Sequence, residues 1–148
     1  MKKAMNFMKV LVVLSVMACI FYLSSQSATD SRALSNKVVQ QLRSYIEAAT
    51  WLAPSIKEAY LRNPVVVTRK LAHFTIYMVL GLVSYLAFPR AWSVRKRVVL
   101  VITLCLVYAI TDEFHQSFVP GRGPEIRDVF IDTIGSSVGM SIGCLIKK

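Results

Sequence analysis

The chain consists of long apolar blocks separated by polar segments. Four blocks are almost continuously apolar, and they occupy residues 10–23, 71–88, 98–110 and 129–146. A helix needs about 20 predominantly apolar residues to cross a hydrocarbon core of roughly 30 Å, so the shorter blocks must be extended by their flanking residues. The pattern predicts four membrane-spanning α-helices in a single domain that covers residues 1–148.

The composition also indicates a membrane protein. Of the 148 residues, 55% are hydrophobic, and the mean hydropathy is +0.51, which makes the chain more apolar than an ordinary soluble domain. The first block has an alternative interpretation, because MKKAMNFMKVLVVLSVMAC has the basic start and apolar run of a secretory signal. VMAC is also similar to a lipoprotein cleavage site. Because IFYL continues the apolar run beyond Cys19, we interpret the block as an uncleaved membrane anchor.

The basic residues beside the blocks predict the orientation, since Lys and Arg in short loops stay on the cytoplasmic side. With four spans, the cytoplasmic pieces are the N-terminus, the loop RAWSVRKR and the C-terminus, and none of them contains an acidic residue. Both termini are therefore expected in the cytoplasm. Basic charge spread over three short juxtamembrane pieces indicates topology rather than nucleic-acid binding. These basic residues are Lys2, Lys3, Lys9, Arg90, Arg95, Lys96, Arg97, Lys147 and Lys148.

The long loop between the first two spans has a pattern of its own. Apolar residues recur at helical spacing through residues 34–52, which predicts an amphipathic helix. A second, shorter helix is expected through SIKEAYLR, between Pro54 and Pro64. We expect this amphipathic segment to cap the bundle or to lie on the outer leaflet. The fold class is therefore an all-α, four-helix transmembrane bundle with an amphipathic helical segment in the long outer loop.

The third apolar block is too short to span a membrane, and its continuation is polar. Residues 98–111 form about 21 Å of helix at 1.5 Å per residue, so the helix must continue to about Val119, before Pro120. Ionisable groups in a membrane cost about 2.5 to 3.5 kcal/mol each at mid-bilayer and less near the interface, so they should face inward and find partners. The polar residues that this continuation places in the outer leaflet are Asp112, Glu113, His115 and Gln116.

Candidate partners lie at the same depth on two other spans. Lys70, His73 and Tyr77 are spaced i, i+3 and i+7, so they share one face near the outer end of the second span. Asp128 and Asp132 lie one turn apart at the start of the fourth span. These positions predict one outward-facing polar pocket.

The fourth span and the turn before it complete that pocket. Gly135, Gly139 and Gly143 have the small-xxx-small spacing that allows two membrane helices to approach closely. Arg122 and Arg127 approach the pocket from the connecting turn.

Simpler interpretations of the same residues stay open. Lys70 and His73 could be an interfacial helix end, where long polar side chains reach toward water. The acidic pair at 112 and 113 could form structural ion pairs with Arg122 or Arg127, and Asp128 could cap the fourth helix.

Three motifs on successive spans resemble the VanZ-like family of small bacterial membrane proteins. They are RKLAHFTIYMVLG, TDEFHQSFVPGR and RDVFIDTIGSSVG, and FYLSSQS after the first span is similar too. The resemblance implies a multi-pass protein of the bacterial cell membrane that acts in the cell envelope. It also implies a link to antibiotic resistance, namely reduced sensitivity to teicoplanin, a glycopeptide with a fatty-acyl tail. Carried over by motif, the ligand-binding positions are Lys70, His73, Tyr77, Asp112, Glu113, His115, Gln116, Arg122, Asp128 and Asp132.

Three functions of different classes follow. The first is a protein that binds or shields an amphiphilic envelope ligand, either a membrane lipid or a lipid-linked envelope molecule. The second is a membrane-embedded hydrolase or transferase that acts on a lipid head group, with two histidines and four carboxylates able to hold a divalent metal or to supply an acid and a base. It lacks HExxH or a nucleophile motif, so no catalytic residue or cofactor is assigned. The third is a small proton-coupled transporter, which would require an oligomer because the four spans contain no inverted repeat.

Overall fold

The computed structural model describes residues 2–146, with side chains from residue 5 onward, and its regular structure is entirely α-helical. This confirms the all-α prediction. Four of the helices are long and apolar enough to cross a membrane, and the other two lie in the loop between the first two spans, as expected. The helices are α1 (Lys2–Ser24), α2 (Ala28–Ala48), α3 (Pro54–Arg62), α4 (Pro64–Ala87), α5 (Val94–Gln116) and α6 (Ile126–Ile146).

Helix α5 extends beyond its apolar block at both ends, which resolves the problem of its length. It begins after Ser93, whose hydroxyl accepts a hydrogen bond of 3.3 Å from the backbone N–H of Lys96 and so caps the first turn. The predicted continuation past residue 110 is confirmed. The helix ends at Gln116, slightly before the predicted Val119, because the chain tightens there into a turn in which the N–H of Val119 donates to the Gln116 carbonyl at 3.0 Å.

The four spans cross the bundle in alternating directions. Residues from the starts and ends of three spans line one small cavity, which includes Lys9, Arg90 and Ile146. We call this the basic end. Ser24 and the first turns of α4 and α6 lie at the opposite end, which we call the polar end. Which end faces the cytoplasm stays a prediction, and residues 1, 147 and 148 lie outside the described part of the chain.

Helices α4 and α6 pack with almost no space between their backbones. A Cβ atom added at Gly139 would overlap the carbonyl oxygen of Met78, and one at Gly135 would overlap that of Phe74. Only glycine permits this approach, so the predicted packing role of the small-residue positions is confirmed. The contact places the second turn of α4 beside the first turn of α6 at the polar end, where Lys70 meets Asp128.

The loop helices cover one side of the polar end. Ser27 caps α2 by accepting a hydrogen bond of 3.2 Å from the backbone N–H of Asp30. Helix α2 packs against α4 and buries Ser35 and Val39. The amphipathic interpretation is confirmed, although the helix ends at Ala48 and its predicted stripe continued to residue 52.

Arg97 differs from the sequence interpretation, which placed it in a cytoplasmic loop. Because α5 begins at Val94, Arg97 lies one turn inside the helix, where its side chain is buried. Its guanidinium lies 4.7 Å from the centre of the Tyr85 ring, a cation–π contact that compensates part of the burial of the charge.

Candidate functional site

Polar side chains from α4, α5 and α6 meet at the polar end of the bundle, where the sequence predicted a pocket. Helical spacing turns one face of each span inward, and the glycine contact between α4 and α6 brings two of these faces together. We call this group the polar cluster. Its residues are Lys70, His73, Tyr77, Asp112, Glu113, Gln116, Arg122, Asp128 and Asp132.

Asp132 is the innermost acidic residue of the polar cluster. Its side chain is fully buried, and its Oδ1 lies 3.6 Å from Nδ1 of His73, too far for a normal hydrogen bond. Among the described residues, neither carboxylate oxygen of Asp132 has a hydrogen-bond donor, and Nδ1 of His73 and the hydroxyl of Tyr77 also lack partners. Four polar atoms at the centre of the site are therefore unsatisfied, although buried polar atoms are normally hydrogen-bonded.

Asp112 connects α5 with the end of α1. Its Oδ2 accepts a hydrogen bond of 2.9 Å from the Ser24 hydroxyl and one of 3.2 Å from Nε2 of Gln116. His73, Asp112 and Asp132 each offer one ligand atom, and these atoms all lie within 4.8 Å of one another. Three different spans thus contribute to one compact group.

Glu113 is held by hydrogen bonds rather than by an arginine. Its Oε2 accepts from the backbone N–H of Glu125 at 2.8 Å, and its Oε1 accepts from Nε2 of Gln116 at 3.3 Å. Gln116 in turn accepts a hydrogen bond of 3.2 Å from Nη1 of Arg122. Burial, with a smaller effect from nearby Arg69, lowers the pKa of Arg122, which lies in the turn between two spans. Among the described residues, no arginine forms an ion pair with Glu113, so the structure does not support the alternative of a direct Glu113–arginine pair.

Lys70 lies at the rim of the polar cluster and joins α4 to the start of α6. Its Nζ lies 3.0 Å from Oε2 of Glu125 and also forms an ion pair with Asp128. Arg69 reaches Oε1 of Glu125 at 3.4 Å. Asp128 lies in the first turn of α6, where a negative charge is favoured by the helix dipole, but its carboxylate is engaged by Lys70.

His115 does not join the polar cluster, contrary to the prediction that all the polar residues of this segment face inward. Its ring stacks on that of Phe21 with 4.5 Å between the centroids, and its Nε2 lies 3.1 Å from the Ser25 hydroxyl. One residue of α helix rotates the side chain by about 100°, so His115 faces α1 while Asp112 and Gln116 face the interior. Arg127 is exposed and likewise adds no contact to the cluster.

A cavity of about 300 Å³ opens beside the polar cluster, between α1, α2 and α4. Ser24, Arg69, His73 and Arg122 contribute to its lining. A larger groove of about 740 Å³, between α2, α3 and α4, is lined almost entirely by apolar side chains. The two spaces share three lining residues, which are Leu23, Ala72 and Ile76.

Three residues of the site were not predicted from the sequence. Ser24 donates to Asp112, Arg69 lines the cavity, and Glu125 holds Lys70, Arg69 and Glu113 together. Ser24 begins the motif SSQS directly after the first span, and Arg69 adjoins Lys70. Both signals were present, but a serine at a helix end and a second basic residue at an interface are too common to be assigned to a site from sequence alone.

The chain was compared with protein families, curated proteins and solved structures. A family model described as VanZ/LLP1 matches residues 9–147, nearly the whole chain. No curated protein and no solved structure matches the chain significantly.

Proposed function

The chain belongs to the VanZ/LLP1 family, and we propose that it binds an amphiphilic molecule of the cell envelope at the polar end of its four-span bundle. The polar head of this ligand would occupy the cavity beside the polar cluster. Its apolar tail would lie in the groove beneath α2 and α3. The protein would thereby bind, or shield, a lipid or lipid-linked envelope molecule in the outer leaflet.

The observation that carries this proposal is that the two spaces are adjacent. Leu23, Ala72 and Ile76 line both the polar cavity and the apolar groove, and the proposal is that one molecule extends past these side chains from one space into the other. A single binding site with a charged compartment and an adjoining apolar compartment matches an amphiphile better than a water-soluble ligand or a simple hydrocarbon.

The side chains that line the cavity favour the binding of an anionic head group. Arg69, His73 and Arg122 all contribute to its lining. Arg69 and Arg122 supply guanidinium groups, whose planar donors match the oxygens of phosphate or carboxylate. Asp30 also lies on the lining, and its carboxylate accepts a hydrogen bond of 2.6 Å from the Ser27 hydroxyl. Arg69 reaches Glu125 and Arg122 donates to Gln116, so an anion would bind the remaining donors of the two guanidinium groups.

The apolar lining of the groove favours the binding of an acyl or prenyl tail. Val38, Leu42 and Ile46 of α2 form one wall, and α4 forms the opposite wall with residues such as Leu71 and Val79. Helix α2 is amphipathic, so its apolar side faces this groove while its polar side faces away. A tail in the groove would contact side chains of the protein as well as membrane lipid.

The resemblance to this family is what suggests a role in the cell envelope and a link to teicoplanin. A glycopeptide that has a fatty-acyl tail is an amphiphile of the class that the cavity and groove fit. Shielding a lipid-linked envelope precursor, or capturing the antibiotic itself, would reduce the sensitivity of the cell, and both actions require the same two compartments.

The test uses an apolar substitution at the junction of the two spaces. Ala72 is exposed and lines both of them, so Ala72→Leu should obstruct the passage while leaving the polar cluster and the fold intact. Ala33→Leu, an exposed alanine of α2 outside both linings, is the matched control. Binding of teicoplanin to the purified protein in mild detergent is measured beside binding of the same glycopeptide without its acyl tail, and lipid that co-purifies is identified by mass spectrometry.

We expect wild type and Ala33→Leu to retain a single class of amphiphile, either the acylated antibiotic or one co-purified lipid, and Ala72→Leu to lose it. Equal retention by both variants would overturn the proposal. Equal binding of the acylated and tailless glycopeptides, with no enriched lipid, would overturn it as well.

A second candidate, hydrolysis or group transfer on a lipid head group, is favoured by one observation, the compact group of His73, Asp112 and Asp132 beside the cavity. Proton-coupled transport gains less support, since a path through the bundle would have to cross a core of fully buried side chains. This core includes Tyr77, Leu80, Val101, Cys105 and Ala109.

A further inference from the structure

We propose that His73, Asp112 and Asp132 hold a divalent metal cation at the centre of the polar cluster. The proposal concerns these three side chains alone, and it does not depend on the amphiphile or on any catalytic activity.

Geometry is the first argument. Two ligand atoms bound to one ion at about 2.0 to 2.2 Å lie roughly 3 to 4.4 Å apart, depending on the angle between them. Nδ1 of His73 and Oδ1 of Asp132 are 3.6 Å apart, within that range. All three ligand atoms lie within 4.8 Å of one another, so small side-chain rotations would bring the set into coordination distance.

The unsatisfied polar atoms are the second argument, and they are independent of the spacing. Asp132 is fully buried with both oxygens lacking donors, and Nδ1 of His73 lacks a partner too. A buried carboxylate without compensation costs several kcal/mol, so natural proteins pair such groups or use them to bind metals. At the rim, Lys70 forms ion pairs with Glu125 and with Asp128. No lysine or arginine among the described residues forms an ion pair with Asp132. A divalent ion satisfies these orphaned atoms together.

Supporting hydrogen bonds provide the third argument. Metal-binding carboxylates are normally oriented by hydrogen bonds from a second layer of residues. Oδ2 of Asp112 accepts from Ser24 and from Gln116, and Gln116 is held in turn by Arg122. These bonds fix the carboxyl plane of Asp112 and leave its Oδ1 for coordination.

The ligand types indicate the class of metal. Two carboxylates and one imidazole form a mixed oxygen and nitrogen set, which suits Zn²⁺ or Mn²⁺ better than Ca²⁺. Three protein ligands leave at least one coordination position open. Because His73 lines the cavity, we place this open position on the cavity side, where an oxygen atom of an anionic ligand could bind.

The alternative to a metal site is a structural ion pair between a protonated His73 and Asp132. One variant, Asp132→Asn, distinguishes these two models. With a metal, Asp132→Asn removes a ligand, so the variant loses metal binding. Its metal-free form should be as stable as metal-free wild type or more so, since the substitution removes one of two neighbouring negative charges. With a structural ion pair, Asp132→Asn should be less stable than wild type whether or not metal is added.

The experiment uses the full chain in mild detergent after treatment with a chelator. Zn²⁺, Mn²⁺, Mg²⁺ and Ca²⁺ are added separately, and thermal unfolding and bound metal are measured. We expect about one ion of Zn²⁺ or Mn²⁺ per wild-type chain and a rise in Tm of roughly 5 to 10 °C when the ion is in large excess over its Kd. Asp132→Asn should show neither effect. Glu47→Gln, an exposed carboxylate paired with Arg43 on α2, is the matched control and should behave as wild type.

Absence of bound metal and of any Tm shift in wild type would overturn the proposal, and so would equal metal binding by wild type and Asp132→Asn. If Asp132→Asn does not fold, His73→Gln replaces it, and retention of about one ion per chain in that variant would equally overturn the proposal.

Discussion

The Ser24 hydroxyl at the end of α1 donates a hydrogen bond of 2.9 Å to Oδ2 of Asp112 in α5, and both side chains are buried. It is a direct polar link between the first span and the polar cluster. A second link lies one layer below, where the Tyr108 hydroxyl donates to the Met17 carbonyl at 2.6 Å. Helix α1 is otherwise largely exposed, so these two bonds, together with the contacts of Phe21 and Ser25 with His115, fix its position and close one side of the site.

Ser24→Ala should therefore destabilise the protein more than its position at a helix end suggests. The variant leaves a buried carboxylate with one donor fewer, which costs about 1 to 3 kcal/mol. Ser141→Ala is the control, because that serine is exposed and its hydroxyl bonds to the Ser137 carbonyl of its own helix at 2.8 Å. Thermal unfolding in detergent should show a clear loss for Ser24→Ala and little change for Ser141→Ala. Equal effects would mean that the bond to Asp112 adds no stability.

The ion pair between Lys70 and Asp128 gives a second prediction. Lys70→Gln leaves the buried Asp128 without its cation and should destabilise the fold by about 3 kcal/mol. Asp128→Asn in the same chain should restore much of the loss, because the uncompensated charge is then absent. A double-mutant cycle on unfolding free energies measures this coupling. Additive effects of the two substitutions would show that the pair is not energetically coupled.

The contact between α4 and α6 gives a third prediction. Gly139→Ala adds a Cβ atom where the Met78 carbonyl oxygen already lies, so the helices must separate, at a cost of about 1 to 3 kcal/mol or more. Gly139→Leu should also lower the yield of folded protein, although it makes the helix more apolar. Gly123→Ala is the control, since a Cβ atom there meets nothing within 4 Å. Wild-type stability of Gly139→Ala would contradict the close approach of the two backbones.

The span number and the inward-facing positions could be predicted from the sequence because a bilayer imposes strong constraints on length and charge. A 14-residue apolar block had to continue into its polar neighbours, and the structure extends α5 to Gln116. The same constraint sets the depth of Asp112 but not the rotation of each side chain, so His115 was misplaced. Its position depends on the aromatic ring of Phe21, which lies in a different helix.

Other features of the structure depend on tertiary contacts that the sequence does not encode locally. Glu125 lies in a short turn and reaches both Lys70 and Arg69 only after α4 and α6 have packed. Arg97 looks like a typical loop cation in RAWSVRKR, yet the helix begins early enough to bury it against Tyr85. Length and periodicity determine the elements, while these pairings follow from how the elements meet.

Orientation in the membrane is the last prediction. The basic end contains Lys9 and Arg90, and the sequence segments around it contain no acidic residue, so this end should face the cytoplasm and the polar cluster should face outward. The test introduces single cysteines into a chain from which the three native cysteines have been removed. The positions are Gly123 in the turn before α6 and Arg90 after α4, both of which are exposed.

A membrane-impermeant maleimide applied to right-side-out vesicles should label Gly123→Cys and leave Arg90→Cys unlabelled until the vesicles are opened. Both variants should be labelled equally after detergent is added, which controls for the intrinsic reactivity of each cysteine. The opposite pattern would place the polar cluster on the cytoplasmic side. The ligand would then have to come from the inner leaflet, and capture of an antibiotic outside the cell would no longer explain the site.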